Sequence, residues 1–120
     1  MQGNMPLVPA SQIAQVEPVT TGAVVAYSAN LHTEITKIIV ANTSNTSRTF
    51  RIFHDDDGAN YSTNCALFYD VYIAPNASIF MDTDARGGGI SVSRNGTIGA
   101  RSPATAVLTF SIYGITQEVR

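Results

Sequence analysis

From residue 23 onward the sequence is a series of short runs rich in β-branched and aromatic residues, separated by turn residues. Runs of this length and spacing are typical of an antiparallel sandwich or jelly roll, and we predict about eight strands and no helix. The predicted strands are 23–28, 34–42, 47–54, 66–73, 78–82, 89–94, 97–101 and 106–119. Asn95-Gly96, the residue pair that type I′ turns prefer, joins two of them as a hairpin. The predicted fold class is therefore all-β, a jelly-roll-like antiparallel β-sandwich over residues 23–120.

Alternation along each run assigns its residues to a face, because successive side chains in a strand point in opposite directions. Charged residues such as Arg51, Asp70 and Asp82 mark the outer face, and in the run 66–73 the side chains of Leu67, Tyr69, Val71 and Ile73 then point inward. The predicted core is Ile38, Val40, Phe50, Ile52, Leu67, Val71, Ile79, Met81, Ile90, Val92, Leu108, Phe110 and Ile112.

Five aromatic residues fall on the outer faces, namely Phe53, Phe68, Tyr72, Phe80 and Tyr113. Apolar residues grouped on a polar surface indicate an interface, so we predict that these side chains contact other subunits. Two alternatives remain: a loop or the N-terminal segment folds over them, or the assigned register is wrong by one residue in a strand.

Residues 1–22 contain three prolines, one charged residue and no sustained helical or alternating pattern. We interpret them as an extended N-terminal arm, separate from the sandwich, that lies across a neighbouring subunit. Leu7, Val8, Ile13 and Val16 are its predicted contact residues. On this interpretation, deletion of residues 1–20 leaves the β-domain folded.

The charge content excludes several classes of function. Charged residues make up 13% of the chain, the net charge is −2, and the basic residues are one lysine and six scattered arginines, which gives no basic stripe for nucleic acid.

The single cysteine, Cys65, forms no internal disulfide, and no secretory signal or membrane-spanning segment is evident. We expect a soluble protein that folds in the cytoplasm and binds neither nucleic acid nor membrane.

The stretch "RTFRIFHDDDG" (48–58) offers the residue types of metal sites and of acid/base catalysis. Its aspartates are consecutive and no glutamate follows at the required distance, so it is not an EF-hand. An irregular calcium site using Asp55, Asp57 and Asn60 is the alternative to a solvated loop that ends a strand. With only His32 and His54 as possible bases and no nucleophile elbow, we predict no catalytic residue, no cofactor and no metal.

Several phrases resemble a group of small virion proteins of tailed bacteriophages. They are an "ANTS" turn after a strand, "ALFYDVYIAPNASIFMD", the glycine-led "GGGISVS" and the closing "YGITQEV". The resemblance covers the chain from about residue 24 and leaves out the N-terminal arm. It implies a β-sandwich built into the particle, and the family supplies no catalytic residues.

Two functions follow from the resemblance as expectations. The first is a capsid decoration (cement) protein on the outside of the capsid, made in the host cytoplasm, with the major capsid protein and its own copies in a homotrimer as partners. The second is a head, neck or tail fibre module that binds a host surface ligand through the loops "HDDDGANYSTN" and "DARGGG". An aromatic residue such as Tyr61 exposed on a loop would favour the second function.

Overall fold

The computed structural model describes residues 11–82 and 89–116. These residues form an all-β fold with a single three-residue 3-10 turn, Thr63–Cys65. The strands are β1 Ser11–Val16, β2 Val24–Ser28, β3 Thr33–Asn42, β4 Arg48–Asp55, β5 Ala66–Ile73, β6 Ser78–Asp82, β7 Ile90–Val92, β8 Thr97–Arg101 and β9 Leu108–Thr116. No helix in the described ranges has the length and hydropathy needed to cross a membrane.

The strands form two antiparallel sheets. One sheet has the strand order β1-β9-β3-β6, and the short strand β7 also pairs with β3. The other sheet has the order β2-β8-β4-β5. Four ladders are nested along the chain, because β1 pairs with β9, β2 with β8, β3 with β6, and β4 with β5. This is the arrangement of a long hairpin rolled into two sheets, which defines a jelly roll. The predicted fold class is confirmed.

The core lies between the two sheets and is formed by the inward side chains of both. Phe50 of β4 and Phe110 of β9 meet edge to face across it, with ring centroids 6.0 Å apart. All the predicted core residues except Leu67 are buried or pack against the buried cluster. Alternation of apolar and polar residues was therefore a sound guide for most of the strands.

Asn42 is a buried polar residue that links two connections at one end of the sandwich. Its amide nitrogen donates to the carbonyl oxygens of Thr46, Ile73 and Ala74 at 2.9, 3.3 and 3.1 Å. Its side-chain oxygen accepts hydrogen bonds from the amide and hydroxyl of Ser44 at 3.0 and 2.7 Å. The buried amide is thus satisfied by its own chain, as burial of a polar group requires.

The start of the sandwich differs from the prediction. Ser11–Val16 is a strand that pairs with β9, so the predicted boundary at residue 22 lies inside the folded part of the chain. A register shift between Gln12 and Ala14 lets Ile13 and Ala14, which are adjacent, both pack against the core. This break in alternation removes the signal by which a strand is recognised. Residues 1–10 of the predicted arm lie outside the described residues.

The face assignment is wrong in the first half of β5. Leu67 and Tyr69, predicted to point inward, are exposed, whereas Phe68, predicted to point outward, packs against the core. Phe50 pairs with Val71 and Ile52 pairs with Phe68, so β5 contains an extra residue between these pairs. Asp70 takes a left-handed conformation there, with φ of 53°. The resulting bulge reverses the phase of the residues that precede it.

Candidate functional site

The histidines and most of the acidic residues singled out in the sequence lie at one end of the sandwich, which we call the loop end. It contains the segments 29–32, 56–65 and 93–96. The register aligns Ser28 of β2 and Asp55 of β4 with Thr97, the first residue of β8. Two backbone hydrogen bonds to Ala29 fix the predicted Asn95-Gly96 turn here. The Asn95 amide donates to the Ala29 carbonyl at 2.9 Å, and the Ala29 amide donates to the Gly96 carbonyl at 3.0 Å.

The carboxylate of Asp56 joins two of these segments. It accepts hydrogen bonds from the amide and the hydroxyl of Ser93, both at 2.8 Å, and His54 Nε2 lies 3.1 Å from its Oδ1. The Ser93 donors, and then His54, hold the pKa of Asp56 below its ordinary value. The ionised carboxylate is therefore the form that holds the 56–65 loop against the 93–96 turn.

A second group of the same kind lies at the start of β3. Glu34 Oε2 is 3.0 Å from His32 Nε2 and accepts a short hydrogen bond from the hydroxyl of Ser91 on β7. Ser91, and then His32, lower the pKa of Glu34. This group attaches the short strand β7 to β3.

The order of groups in both clusters is unsuited to nucleophilic catalysis. In each cluster the carboxylate lies between the histidine and the serine, and the hydroxyl donates to the carboxylate. Activation of a serine requires the histidine to be the acceptor, with the carboxylate behind it. These hydrogen bonds hold neighbouring segments of the chain together.

The remaining aspartates of the loop are also engaged locally. Asp55 accepts from the amides of Asn60 at 2.7 Å and Asp57 at 3.2 Å, and these bonds lower its pKa. A hydrogen bond to Asp55 and the charge of Asp55 raise the pKa of Asp57. Over the described ranges, no group of three or more His, Cys, Asp or Glu side chains could hold a metal ion. Asn60 contacts Asp55 through its backbone amide.

Tyr61 folds the loop back over the outer face of the four-stranded sheet. Its ring stacks on Phe53, with centroids 5.6 Å apart and planes 26° apart, and it covers the backbone of Gly99. Its hydroxyl lies 2.5 Å from that of Thr97, which donates to the carbonyl of Gly58 at 2.6 Å. Burial raises the pKa of Tyr61. This aromatic residue is therefore used inside the fold and is not presented by the loop.

The exposed aromatic residues lie elsewhere, on strands β5 and β6. These strands form one open side of the sandwich, one at the edge of each sheet, which we call the β5/β6 side. Its exposed apolar side chains are Tyr72 at 62%, Tyr69 at 46% and Leu67 at 41% on the outer face of the four-stranded sheet, and Phe80 at 57% on the outer face of the other sheet. The opposite open side, the β1/β2 side, carries Val19 and Val25, exposed by 67% and 46%.

Two cations hold aromatic rings of the β5/β6 side in place. The guanidinium of Arg51 lies 3.9 Å from the centroid of the Tyr69 ring, while its Nε donates to Asp70 at 2.7 Å. The ammonium of Lys37 lies 4.9 Å from the Phe80 centroid. Such contacts restrict the movement of the two exposed rings.

The predicted interface residues divide into three groups. Tyr72 and Phe80 are exposed and Tyr113 is partly exposed. Ile13, Val16, Phe53 and Phe68 are packed within their own chain, Phe53 under Tyr61 and the others against the core. Leu7 and Val8 lie outside the described residues. Sequence reasoning missed Leu67 and Tyr69 as surface residues because the bulge at Asp70 leaves no mark in the alternation.

No protein-family model, no curated protein and no solved structure matches this chain.

Proposed function

We propose that this protein is a non-enzymatic virion structural protein, a capsid decoration (cement) protein that binds the outer surface of a capsid and stabilises the shell through contacts between subunits. The observation that carries the proposal is the set of exposed aromatic and aliphatic side chains on β5 and β6, with Leu67, Tyr69 and Tyr72 on the outer face of the four-stranded sheet and Phe80 on the outer face of the other sheet. Apolar side chains grouped in this way on a small domain are typical of surfaces that become covered.

Two further features support an assembly role. The jelly-roll topology is used by many viral capsid proteins, although a fold alone does not define a function. The phrases "ALFYDVYIAPNASIFMD" and "YGITQEV" resemble tailed-phage virion proteins, and the first of them spans both strands of the β5/β6 side.

The alternative is a fibre or adsorption module that binds a host ligand through loops. The feature that would favour it, an exposed aromatic residue on a loop, is not seen in the 56–65 loop, because Tyr61 stacks on Phe53 and its hydroxyl contacts Thr97. Residues 83–88, which include most of the second loop, lie outside the described residues. The carboxylates of Asp55 and Asp56 are likewise engaged with backbone amides.

The proposal is tested by quantifying the protein in purified particles by mass spectrometry and locating it by electron microscopy. We expect a copy number comparable to that of the major capsid protein and density on the capsid exterior. A few copies at the tail would favour the adsorption module, and absence from the particle would overturn both functions.

A binding experiment tests the surface itself. Tyr72→Ser with Phe80→Ser is expected to weaken binding of the purified protein to particles that lack it, at least about tenfold, because residues of this type carry most of an interface's affinity. Ser47→Asp, a change at an exposed residue of the β3–β4 connection, is the control. Equal binding by the aromatic variant would contradict the role of the β5/β6 side.

A further inference from the structure

The turn at the loop end contains the only Asn-Gly pair in the chain, Asn95-Gly96. In such a pair the amide nitrogen of the glycine can attack the side-chain carbonyl carbon of the asparagine, because glycine has no Cβ to hinder the approach. This reaction is one reason why asparagine is counted among the thermolabile residues. The side chain of Asn95 is exposed, so water reaches it.

The bonds that change are confined to these two residues. The Gly96 nitrogen forms a bond to Asn95 Cγ, and the bond from Cγ to the side-chain nitrogen breaks. That nitrogen leaves as ammonia, with the proton of the Gly96 amide, and a cyclic imide remains. Water then opens the imide. Attack at the side-chain carbonyl gives aspartate, whereas attack at the main-chain carbonyl gives isoaspartate, whose backbone is longer by a methylene group.

In the folded protein the attacking nitrogen is already engaged. The Gly96 amide donates to the Ser93 carbonyl at 2.8 Å and so closes the turn 93–96. Gly96 is buried, and a Cβ at this position would lie 3.0 Å from the Ser93 oxygen and 3.1 Å from Asp56 Oδ1, so the backbone has little room to move. The turn must therefore open before the imide forms, as in other reactions that require local unfolding.

Two neighbouring segments hold this turn closed. Asp56 accepts hydrogen bonds from the amide and the hydroxyl of Ser93, both at 2.8 Å. Ala29 bonds to the Asn95 amide at 2.9 Å and to the Gly96 carbonyl at 3.0 Å. Hydrogen bonds to a charged group contribute more than neutral ones, so the Asp56 carboxylate is the group whose loss favours opening most.

From these contacts we infer that Asn95 is a site of spontaneous deamidation, that opening of the turn 93–96 sets its rate, and that conversion leaves the turn open. Aspartate would add a negative charge next to Gly96, against which the Asp56 carboxylate packs, and like charges repel. Isoaspartate would add a methylene group between the two backbone groups that bond to Ala29. The loop end thus carries a one-way chemical change, which goes beyond the proposed function and does not depend on it.

Peptide mapping of the full chain measures the conversion. Cleavage after Arg94 and Arg101 releases residues 95–101, in which Asn95 is the only side chain with an amide. A sample taken before incubation corrects for conversion during digestion. At neutral pH, Asn95 of the folded wild-type protein is expected to convert at least about tenfold more slowly than that of the same protein in denaturant.

Three variants test the part of Asp56. Asp56→Ala is expected to convert at least about fivefold faster than the folded wild type, and Ser93→Ala, which removes one of the two donors, is also expected to convert faster. Asp57→Ala is the matched control, because the described contacts of the Asp57 side chain are with Asp55 and not with the turn. Circular dichroism shows which variants are folded, and Ser93→Ala carries the test if Asp56→Ala unfolds.

Hydrogen exchange tests whether conversion leaves the turn open. The Ala29 amide, which donates to Gly96, is expected to exchange faster in converted protein, separated by ion exchange, than in unconverted protein. Equal exchange would show that the turn closes again. Equal conversion in the folded and denatured wild type, or conversion in the Asp56 and Ser93 variants no faster than in Asp57→Ala, would overturn the inference that the turn sets the rate.

Discussion

Phe110 packs edge to face against Phe50 of the opposite sheet and is 1% exposed. Because its ring contacts a residue of the opposite sheet, its removal leaves a cavity bounded by both sheets. Phe110→Ala is expected to lower the free energy of unfolding by about 3–5 kcal/mol, measured by denaturant titration. Thr109→Ala, on the outer face of the same strand, is the control, and a loss below about 1 kcal/mol for Phe110→Ala would contradict its place in the core.

Asp56 gives the loop end a dependence on pH. Its pKa is lowered in the folded protein by the Ser93 donors and by His54. A depressed carboxyl pKa contributes stability above the pKa of the unfolded chain, and this contribution is lost as the pH falls through the folded-state pKa. The melting temperature of the wild-type protein is therefore expected to decrease when the pH is lowered past about 4. Asp56→Asn is expected to make this decrease smaller.

The neighbouring Asp57 is the matched control for this experiment. Its pKa is raised by Asp55, so its contribution to stability has the opposite sign and grows as the pH falls. Asp57→Asn is thus not expected to reduce the acid loss. Superimposable melting profiles of the wild type and Asp56→Asn between about pH 5 and pH 2 would show that Asp56 does not hold the loop.

The strands show which parts of the fold alternation can predict. The inward residues of β6 and β9 follow the expected phase, whereas a register shift between Ile35 and Lys37 breaks the phase of β3 and buries Ile35, which the prediction left out of the core. The Asn95-Gly96 turn lies where its residue preference placed it. In β5 the left-handed conformation of Asp70 shifts the alternation of inward and outward residues. The sequence does not indicate this bulge, because an aspartate in a regular strand with one polar face gives the same pattern. Phe53 was correctly placed on the outer face, but Tyr61 of its own loop covers it.

Gly99 makes that covering possible. A Cβ at this position would lie 2.5 Å from the Tyr61 ring, whereas a Cβ at Gly22 would meet nothing within 4 Å. Gly99→Ala is expected to displace Tyr61 and destabilise the fold by about 1–3 kcal/mol, with Gly22→Ala as a control of similar chemistry. The effect should shrink in a Tyr61→Ala background, since the clash is then removed. If the effects of Gly99→Ala and Tyr61→Ala on the free energy of unfolding were fully additive, the Tyr61 ring would not contact a side chain at position 99.

At the scale of the molecule, the nested ladders join residues that are far apart in sequence, and pattern reasoning has no access to such pairings. It found the eight strands from 23 onward because each has a local signature. It missed β1, since Pro18 follows the strand and a register shift breaks its alternation. The stretch "HDDDG" ends strand β4 at Asp55, and the hydrogen bonds of Asp56 to Ser93 depend on the topology.

The place of β1 in the sheet changes the expected result of truncation. Removal of residues 1–20 would take away the strand that covers β9, together with the core contacts of Ile13 and Val16. We expect this truncation to cost roughly 3 kcal/mol or more, seen as a lower melting temperature. Residues 1–10 lie outside the described residues, and the interpretation of them as an arm predicts that their removal leaves melting nearly unchanged. Equal melting of the two truncated proteins would show that β1 contributes nothing.

Hydroxyl-radical footprinting of the free protein and of the assembled particle tests the central claim most directly, because it reports the exposure of individual aromatic side chains. In the free protein Tyr72 and Phe80 are exposed and Tyr61 is half-buried against Phe53. Assembly is expected to protect Tyr72 and Phe80 strongly and to leave the labelling of Tyr61 unchanged. Unchanged labelling of Tyr72 and Phe80, with new protection confined to the 56–65 loop, would contradict the account.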